Sequence, residues 1–333
     1  MKRNMFAWLE GLKSAQKKKA MPILAFPGIE LTGITVKELV CSAENQAKCM
    51  KVVADRTPAC GAVSIMDLSV EAEAFGSPVL FSDDEVPTVT DKIVETEEEA
   101  DALRVPAVGE KRTGVCIDGI KRAAELIEDR PVFAGVIGSF SLAGRLLDVT
   151  EALVYCYTDP DLLHKVLEKA TSFLLEYVKA FKEAGANGVV IAEPLAGLLS
   201  PELAEEFSEP YIKKIVDGVQ DEKFIVVYHN CGNTALTIID SILRVGAKVY
   251  HFGNAVDMAE IMKKIPKDII AMGNVDPAGE FKNGTPQSIK AATEELMKKC
   301  GGYPNFVPSS GCDIPPLSKW ENVDAFFETV EKF

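Results

Sequence analysis

Short apolar runs alternate with longer stretches of helical period along almost the whole chain. The runs cover residues 21–26, 62–66, 131–137, 188–192, 224–228, 248–252, 269–272 and 305–307, and most stop at a Gly, Pro, Asp, Glu or His. Runs this short, rich in β-branched and aromatic side chains and ended by such residues, predict buried strands. Between them, apolar residues at 162, 163, 166, 167, 170, 173, 174, 177, 178 and 181 repeat with the 3.6-residue period of a helix over 159–183. Thr158 or Asp159 can cap its start, Pro160 suits its first turn, and Gly185 ends it. Residues 201–216, 235–245, 256–265, 286–300 and 320–333 read as helices too.

Eight strands, each followed by a helix or a long connection, predict an α/β fold of the (β/α)8 TIM-barrel type with a helical N-terminal extension over 1–20. Residues 75–130 are too long for a simple connection. They predict an insertion over 76–130, between strands two and three, with a hairpin near Leu80 and Val89 and helices over 97–103 and 112–128. The whole chain, 1–333, is expected to form one barrel domain.

Such a barrel carries its chemistry at the C-terminal ends of its strands. Asp67, Glu193, His229, Cys231, Asn254, Asn274, Asp276 and Cys312 all fall there. His229 and Cys231 stand two residues apart, and in extended backbone such residues point to one side. Imidazole and thiolate are both zinc ligands. Gly232 permits a turn, after which Asn233 or Thr234 can cap a helix. Cys312, in the loop Pro308-Ser309-Ser310-Gly311-Cys312-Asp313, supplies a third ligand. Three protein ligands leave a coordination position open, as catalytic sites do. Glu193 is the candidate fourth ligand, displaceable by substrate. Its competing reading is an ordinary hydrogen-bonding or helix-capping carboxylate. Asp67 reads equally as a substrate contact or a cap on the next turn. Glu71 and Glu73 belong to a helix, one of them solvated. His164 falls on the polar side of its helix, and His251 reads as a hydrogen-bonded barrel histidine.

The charge balance narrows the partners. A net charge of −14 sets the protein against nucleic acid and anionic membranes. The one basic cluster, Lys17-Lys18-Lys19 with Lys13, reads as a solvated helix end. The first residues lack a signal peptide's apolar run, and no segment reaches the roughly 18 apolar residues of a membrane span. These features point to the cytoplasm, where the eight cysteines are reduced thiols. Cys41, Cys49 and Cys60 read as small core residues.

Several segments carry a family resemblance: 66–76 (MDLSVEAEAFG), 138–143 (GSFSLA), 273–276 (GNVD), and the tail Cys312-Asp313-Ile314-Pro315-Pro316 with Glu321-Asn322-Val323. The chain resembles the uroporphyrinogen decarboxylase superfamily. His229-Asn230-Cys231-Gly232 with Cys312 is similar to the zinc signature of its corrinoid-dependent methyltransferases, typified by methylcobalamin:coenzyme M methyltransferase. That resemblance implies catalytic zinc, a corrinoid such as methylcobalamin on a partner protein, and a small thiol acceptor or methylated donor. The decarboxylase branch is metal-free and anchors its substrate's carboxylates with arginines near the first strand. No arginine lies between Arg3 and Arg56 here, although Asp67 stands where that branch keeps a pyrrole-binding aspartate. A tetrapyrrole decarboxylase and a non-catalytic corrinoid- or metal-binding scaffold are the alternative readings. Phe26, Met66, Tyr228 and Phe252 are expected to give the substrate an apolar lining suited to a methoxyaromatic or a small methylated compound.

Overall fold

The computed structural model describes residues 3–333. Seven strands form one parallel sheet: β1 (Ala62–Val63), β4 (Val132–Ile137), β5 (Gly188–Ala192), β6 (Ile225–Asn230), β7 (Val249–Phe252), β8 (Ile270–Val275) and β9 (Phe306–Ser310), adjacent in that order. Between β1 and β4 the chain inserts an antiparallel hairpin of β2 (Val79–Leu80) and β3 (Thr88–Val89), then helices Glu97–Ala102 and Arg112–Leu126. The insertion thus has the expected content, and the curled sheet with its helices is a TIM-barrel-type fold.

The first apolar run differs from expectation: residues 21–26 form no ladder strand. The segment is held between β9 and the β1 region by single bonds. Met21 N–H donates to Pro308 O at 3.0 Å, Ile23 N–H to Ser310 Oγ at 3.1 Å, and Cys60 N–H to Ala20 O at 2.9 Å. A serine hydroxyl takes the place of a backbone partner, so the seam closes without a regular ladder.

Period-two alternation sorts the side chains. Val190, Ile225, Val227, Val249, Ile270, Met272 and Val307 share one buried cluster with Met5, Leu9 and Leu12 of the helix Met5–Ser14. This helix is the described part of the predicted N-terminal extension, and it packs into the barrel interior, with Trp8 5.7 Å from Phe133. The alternate residues Val189, Ile191, Val226, Tyr228, Tyr250, Ala271 and Phe306 pack against the surrounding helices. Each buried aliphatic side chain contributes about 1.5–3 kcal/mol.

Local chemistry moves some helix boundaries. The helix predicted over 201–216 is two, Pro201–Phe207 and Glu209–Val219, broken where Pro210 removes a backbone donor. The helix predicted from Ala235 begins only at Ile239. Thr234 does not cap it: its hydroxyl donates to Gly197 O at 2.6 Å, drawing the turn after β6 onto the 3-10 turn Leu195–Leu198. A Cβ at Gly232 would lie 2.4 Å from Gly197 Cα, so this contact requires glycine. Cys41 is exposed rather than buried, because it caps the C-terminus of helix Val36–Val40.

Candidate metal centre

The alternation that turns Val227, Val249 and Val307 inward also turns inward the residues two positions on: His229, His251 and Ser309. His229 and His251 are register partners on β6 and β7. All three are buried. Ser309 Oγ–H donates to Met21 O at 2.8 Å, an atom that can only accept. The Ser309 oxygen is therefore free to receive His251 Nε2–H at 2.8 Å. That leaves His251 Nδ1 bare, to accept the proton of His229 Nδ1 at 2.7 Å. By this assignment from the network, His229 Nε2 keeps its lone pair and faces the barrel mouth. Burial and the neighbouring His229 hold His251 well below its ordinary pKa, so it stays neutral in this role.

Cys312 Sγ lies 3.4 Å from His229 Nε2. Cys231, just past β6, completes a group whose three ligand atoms all lie within 4.8 Å of one another. Gly253 makes room for it, since a Cβ there would sit 2.6 Å from Cys231 Cβ. Each sulfur acts on the other: the neighbouring thiol lowers the pKa of Cys231, and the same neighbour together with burial pushes Cys312 up to about 12. Zn–S bonds of about 2.3 Å and Zn–N bonds of about 2.0–2.1 Å at tetrahedral angles imply ligand separations of roughly 3.6–3.8 Å. The 3.4 Å between Cys312 Sγ and His229 Nε2 lies near that range, and two sulfurs with one imidazole nitrogen are chemically a zinc donor set.

The structure does not bring Glu193 into this group. The Glu193 backbone is close, its N–H donating to His229 O at 2.8 Å. Its side chain turns the other way and caps the helix Ser139–Leu147, accepting Phe140 N–H at 3.0 Å and Ser141 N–H at 2.6 Å. Both oxygens are thus spent on orphan donors at a helix N-terminus, where negative charge is favoured. Burial raises its pKa to about 7 against the pull of those bonds. Gly138 permits the arrangement, because a Cβ there would lie 2.4 Å from Glu193 Oε2.

Asp67 is tied down as well. Its Oδ1 accepts Ser69 N–H at 3.0 Å and Ser69 Oγ–H at 2.6 Å, and its Oδ2 pairs with Arg112 Nη1. Arg112 also bonds Glu73 at 2.6 Å and Ser69 Oγ at 2.8 Å. Glu73 is half-buried and carries that ion pair, and Glu71 is buried, with its pKa raised by burial to about 8. Arg112 arrives from the insertion, 45 residues from Asp67, and nothing in the local sequence announces the pairing.

The remaining strand-end polar residues mostly stabilise loops. Asn274 Nδ2 donates to Gly253 O and Val256 O at 2.9 and 2.8 Å, and Asp276 caps the following turn through Ala278 and Gly279 N–H. His164 is half-buried rather than on the surface, with Nδ1 2.6 Å from the Tyr211 hydroxyl and its ring on Phe207. Tyr228 and Phe252 face the helical layer, not the mouth, and Phe26 packs in a separate cluster with Ile29 and Val36. Of the expected apolar lining, Met66 borders a cavity of about 190 Å³, beside Leu68 and Ser69.

The family model described as uroporphyrinogen decarboxylase (URO-D) matches residues 18–333. The chain is 29% identical over 273 residues to the methylcobamide:CoM methyltransferase MtbA of Methanosarcina mazei, covering 80% of this chain and 78% of that protein. It is 26% identical over 309 residues to the uroporphyrinogen decarboxylase of Coxiella burnetii, covering 89% and 82%. Among solved structures, a methyltransferase from Methanosarcina mazei superposes with a TM-score of 0.87 at 25% identity, covering 98% of this chain and 97% of that one.

Proposed function

The chain belongs to the uroporphyrinogen decarboxylase family, and we propose that within it this protein is a zinc-dependent methyltransferase. It moves a methyl group between a corrinoid on a partner protein and a small thiol or methylated substrate. The observation that carries this reading is the cluster of two thiols and one imidazole nitrogen, all within 4.8 Å, at the barrel mouth. The resemblance to a methylcobamide:CoM methyltransferase supports it.

Zinc held by His229, Cys231 and Cys312 would supply Lewis acidity, keeping a substrate thiol as thiolate at neutral pH or drawing charge from a methylated heteroatom. The chain's own contributions are distinct. His251 orients His229 and presents its bare Nε2. Cys231 and Cys312 offer two anionic sulfurs, which leave a bound sulfur nucleophilic. The packed interior beneath excludes water. The corrinoid enters as a substrate: the thiolate's electron pair forms the S–C bond while the Co–C pair returns to cobalt, and the reverse reaction runs the same electrons backwards.

The decarboxylase reading is weaker here. Asp67 would have to offer its carboxylate to pyrrole N–H groups, and that carboxylate is spent on Ser69 and Arg112. All eight cysteines are free thiols, which supports a reducing compartment such as the cytoplasm. Among the described residues, no helix is long and apolar enough to cross a membrane.

The test is spectroscopic. The protein mixed with methylcobalamin and a panel of thiols should convert the methyl-cobalt spectrum, and a chelator should stop it while added zinc restores it. The reverse assay offers cob(I)alamin with methylated donors. No conversion in either direction, together with turnover of uroporphyrinogen, overturns the proposal.

A further inference from the structure

We propose that one buried water is bound against Glu71, where the barrel meets its insertion, and that Glu71 meets it as a carboxylic acid rather than a carboxylate. The inference is independent of the methyltransferase reading.

Glu71 is held on one side only. It lies in the helix Val70–Phe75 and is 2% exposed. Its Oε1 accepts Ile137 N–H at 3.2 Å, at the end of β4. Its Oε2 is buried and, among the described residues, has no hydrogen-bond partner. An unmet buried oxygen is costly, and such atoms in folded proteins are paired with protein or with water.

The space beside it selects the partner. Glu71 lines a cavity of about 10 Å³ together with Gln46, Ser64, Asp67, Cys116 and Tyr177. Gln46 comes from the helix Ala43–Arg56, Cys116 from the insertion helix Arg112–Leu126 and Tyr177 from the helix Pro160–Glu183. A single water needs a space of roughly 10–15 Å³ and two to four polar partners. The volume admits nothing larger, and the lining is polar. A water that accepts the Glu71 proton has two of its own to give. The Asp67 carboxylate, the Gln46 amide oxygen and the Tyr177 hydroxyl are acceptors on that wall.

A second cavity of about 10 Å³ has the opposite chemistry. Leu24, Met50, Val53, Ala54 and Val63 form most of its wall. The two polar side chains there are already spent. Thr57 Oγ–H donates to Val53 O at 2.9 Å, and Arg130 donates to Thr57 O, Ala59 O and Asp129. Equal in size but apolar, this cavity should stay dry.

The charges around Glu71 account for the proton. Arg112, the cation that acts on it, already serves both Asp67 and Glu73. Cys116 and Tyr177 add no charge at neutral pH, because burial pushes the thiol up to about 12 and the phenol well above its ordinary value. An ionised Glu71 would be one more buried carboxylate around a single guanidinium, without a cation of its own. Burial, with Asp67 beside it, raises its pKa to about 8 against the pull of the Ile137 bond and of Arg112. The proton keeps the brace between barrel and insertion near charge balance, and the water carries the hydrogen bond across to the other helices.

Crystallography and infrared spectroscopy on the full chain test the two halves of the proposal. A high-resolution crystal structure should show one water about 2.5–3.0 Å from Glu71 Oε2, and none in the apolar cavity. The infrared difference spectrum of wild type minus Glu71→Gln, taken near neutral pH, should show the carbonyl stretch of one protonated carboxyl group. Glu71→Gln keeps an acceptor and a donor and should retain the water. Glu71→Met keeps the length but neither group; it should lose the water and unfold at a lower denaturant concentration than Glu71→Gln. The wild-type and Gln measurements stand even if the Met variant fails to fold. No density at Oε2, or water in both cavities alike, overturns the proposal. So does a cation in the site, revealed by an anomalous peak after a rubidium soak, or a difference spectrum that shows only carboxylate bands.

Discussion

Two polar clusters stand at the same end of this barrel and spend their bonding capacity in opposite ways. After β1, Asp67, Ser69 and Glu73 surround Arg112, whose Nη1, Nε and Nη2 are all engaged and whose guanidinium lies 4.8 Å over the Phe81 ring. Almost nothing is left to bind a ligand. Around the ends of β6 and β9, His229, Cys231 and Cys312 stand within 4.8 Å of one another, and His229 Nε2 has no partner but the Cys312 sulfur. The first cluster is cross-bracing between the barrel and its insertion. The second is a donor set that a cation would complete. Position at a strand end does not separate them; unspent lone pairs do.

Arg112→Met tests the bracing most severely. It strands the Asp67 carboxylate in a buried setting, and removing one partner of such a pair costs about 3–5 kcal/mol. Denaturant unfolding should show that loss, and metal analysis should show zinc content unchanged. Loss of zinc at wild-type stability would erase the distinction between the clusters.

His251→Gln should have a smaller effect of the opposite kind. Orienting partners of ligating histidines are typically worth 10–100-fold in metal affinity, or about 1.4–2.7 kcal/mol. Competition with a chromophoric chelator should register that weakening while unfolding stability stays near wild type. Nitrogen-15 spectra of the histidines should place the His229 proton on Nδ1 in the wild type and show mixed tautomers in the variant. An Nε2-protonated His229 in the metal-free wild type would break the chain of bonds from Met21 O.

Glu193→Gln should be the mildest. That holds at acidic pH, where the group is neutral: the amide keeps an acceptor for only one of the two helix N–H groups, a cap worth about 0.5–2 kcal/mol, and zinc stays in place. Its pH dependence has a definite sign. The folded pKa is raised from 4.5 to about 7, so the folded state holds the proton longer than the unfolded chain does. The wild type's contribution from this group is full below about 4.5 and declines as pH rises to about 7, by at most about 1.4 kcal/mol per pH unit. Gln does not titrate. The variant should therefore gain on the wild type across that window and no further above it; a gap independent of pH would show that Glu193 ionises normally.

The grouping of His229, Cys231 and Cys312 was legible because those residues declare themselves locally. His229 and Cys231 share a side of an extended segment, and Cys312 sits in a loop flanked by glycine. The barrel was legible for a similar reason, since its strands are fully buried apolar runs punctuated by turn residues. What escaped depends on contacts between distant segments. His251 reads as a satisfied histidine, but its partner becomes evident only when β6 and β7 pair with His229 opposite it. Arg112 meets Asp67 across the insertion, and Glu193 turns from the mouth because the helix Ser139–Leu147 presents two free N–H groups. The run 21–26 has the composition of a strand, yet Ser310 replaces a backbone acceptor and the ladder never forms.

X-ray absorption at the zinc edge tests the central claim most directly. The wild type should hold about one zinc per chain, with two sulfurs at about 2.3 Å, one imidazole nitrogen at about 2.0–2.1 Å and one exchangeable light ligand. Cys312→Ser should remove one sulfur from that shell or the metal altogether, and an added thiol should raise the sulfur count of the wild type to three. A shell of oxygen and nitrogen alone, or stoichiometric zinc unchanged in a Cys231→Ser, Cys312→Ser double variant, would contradict the account.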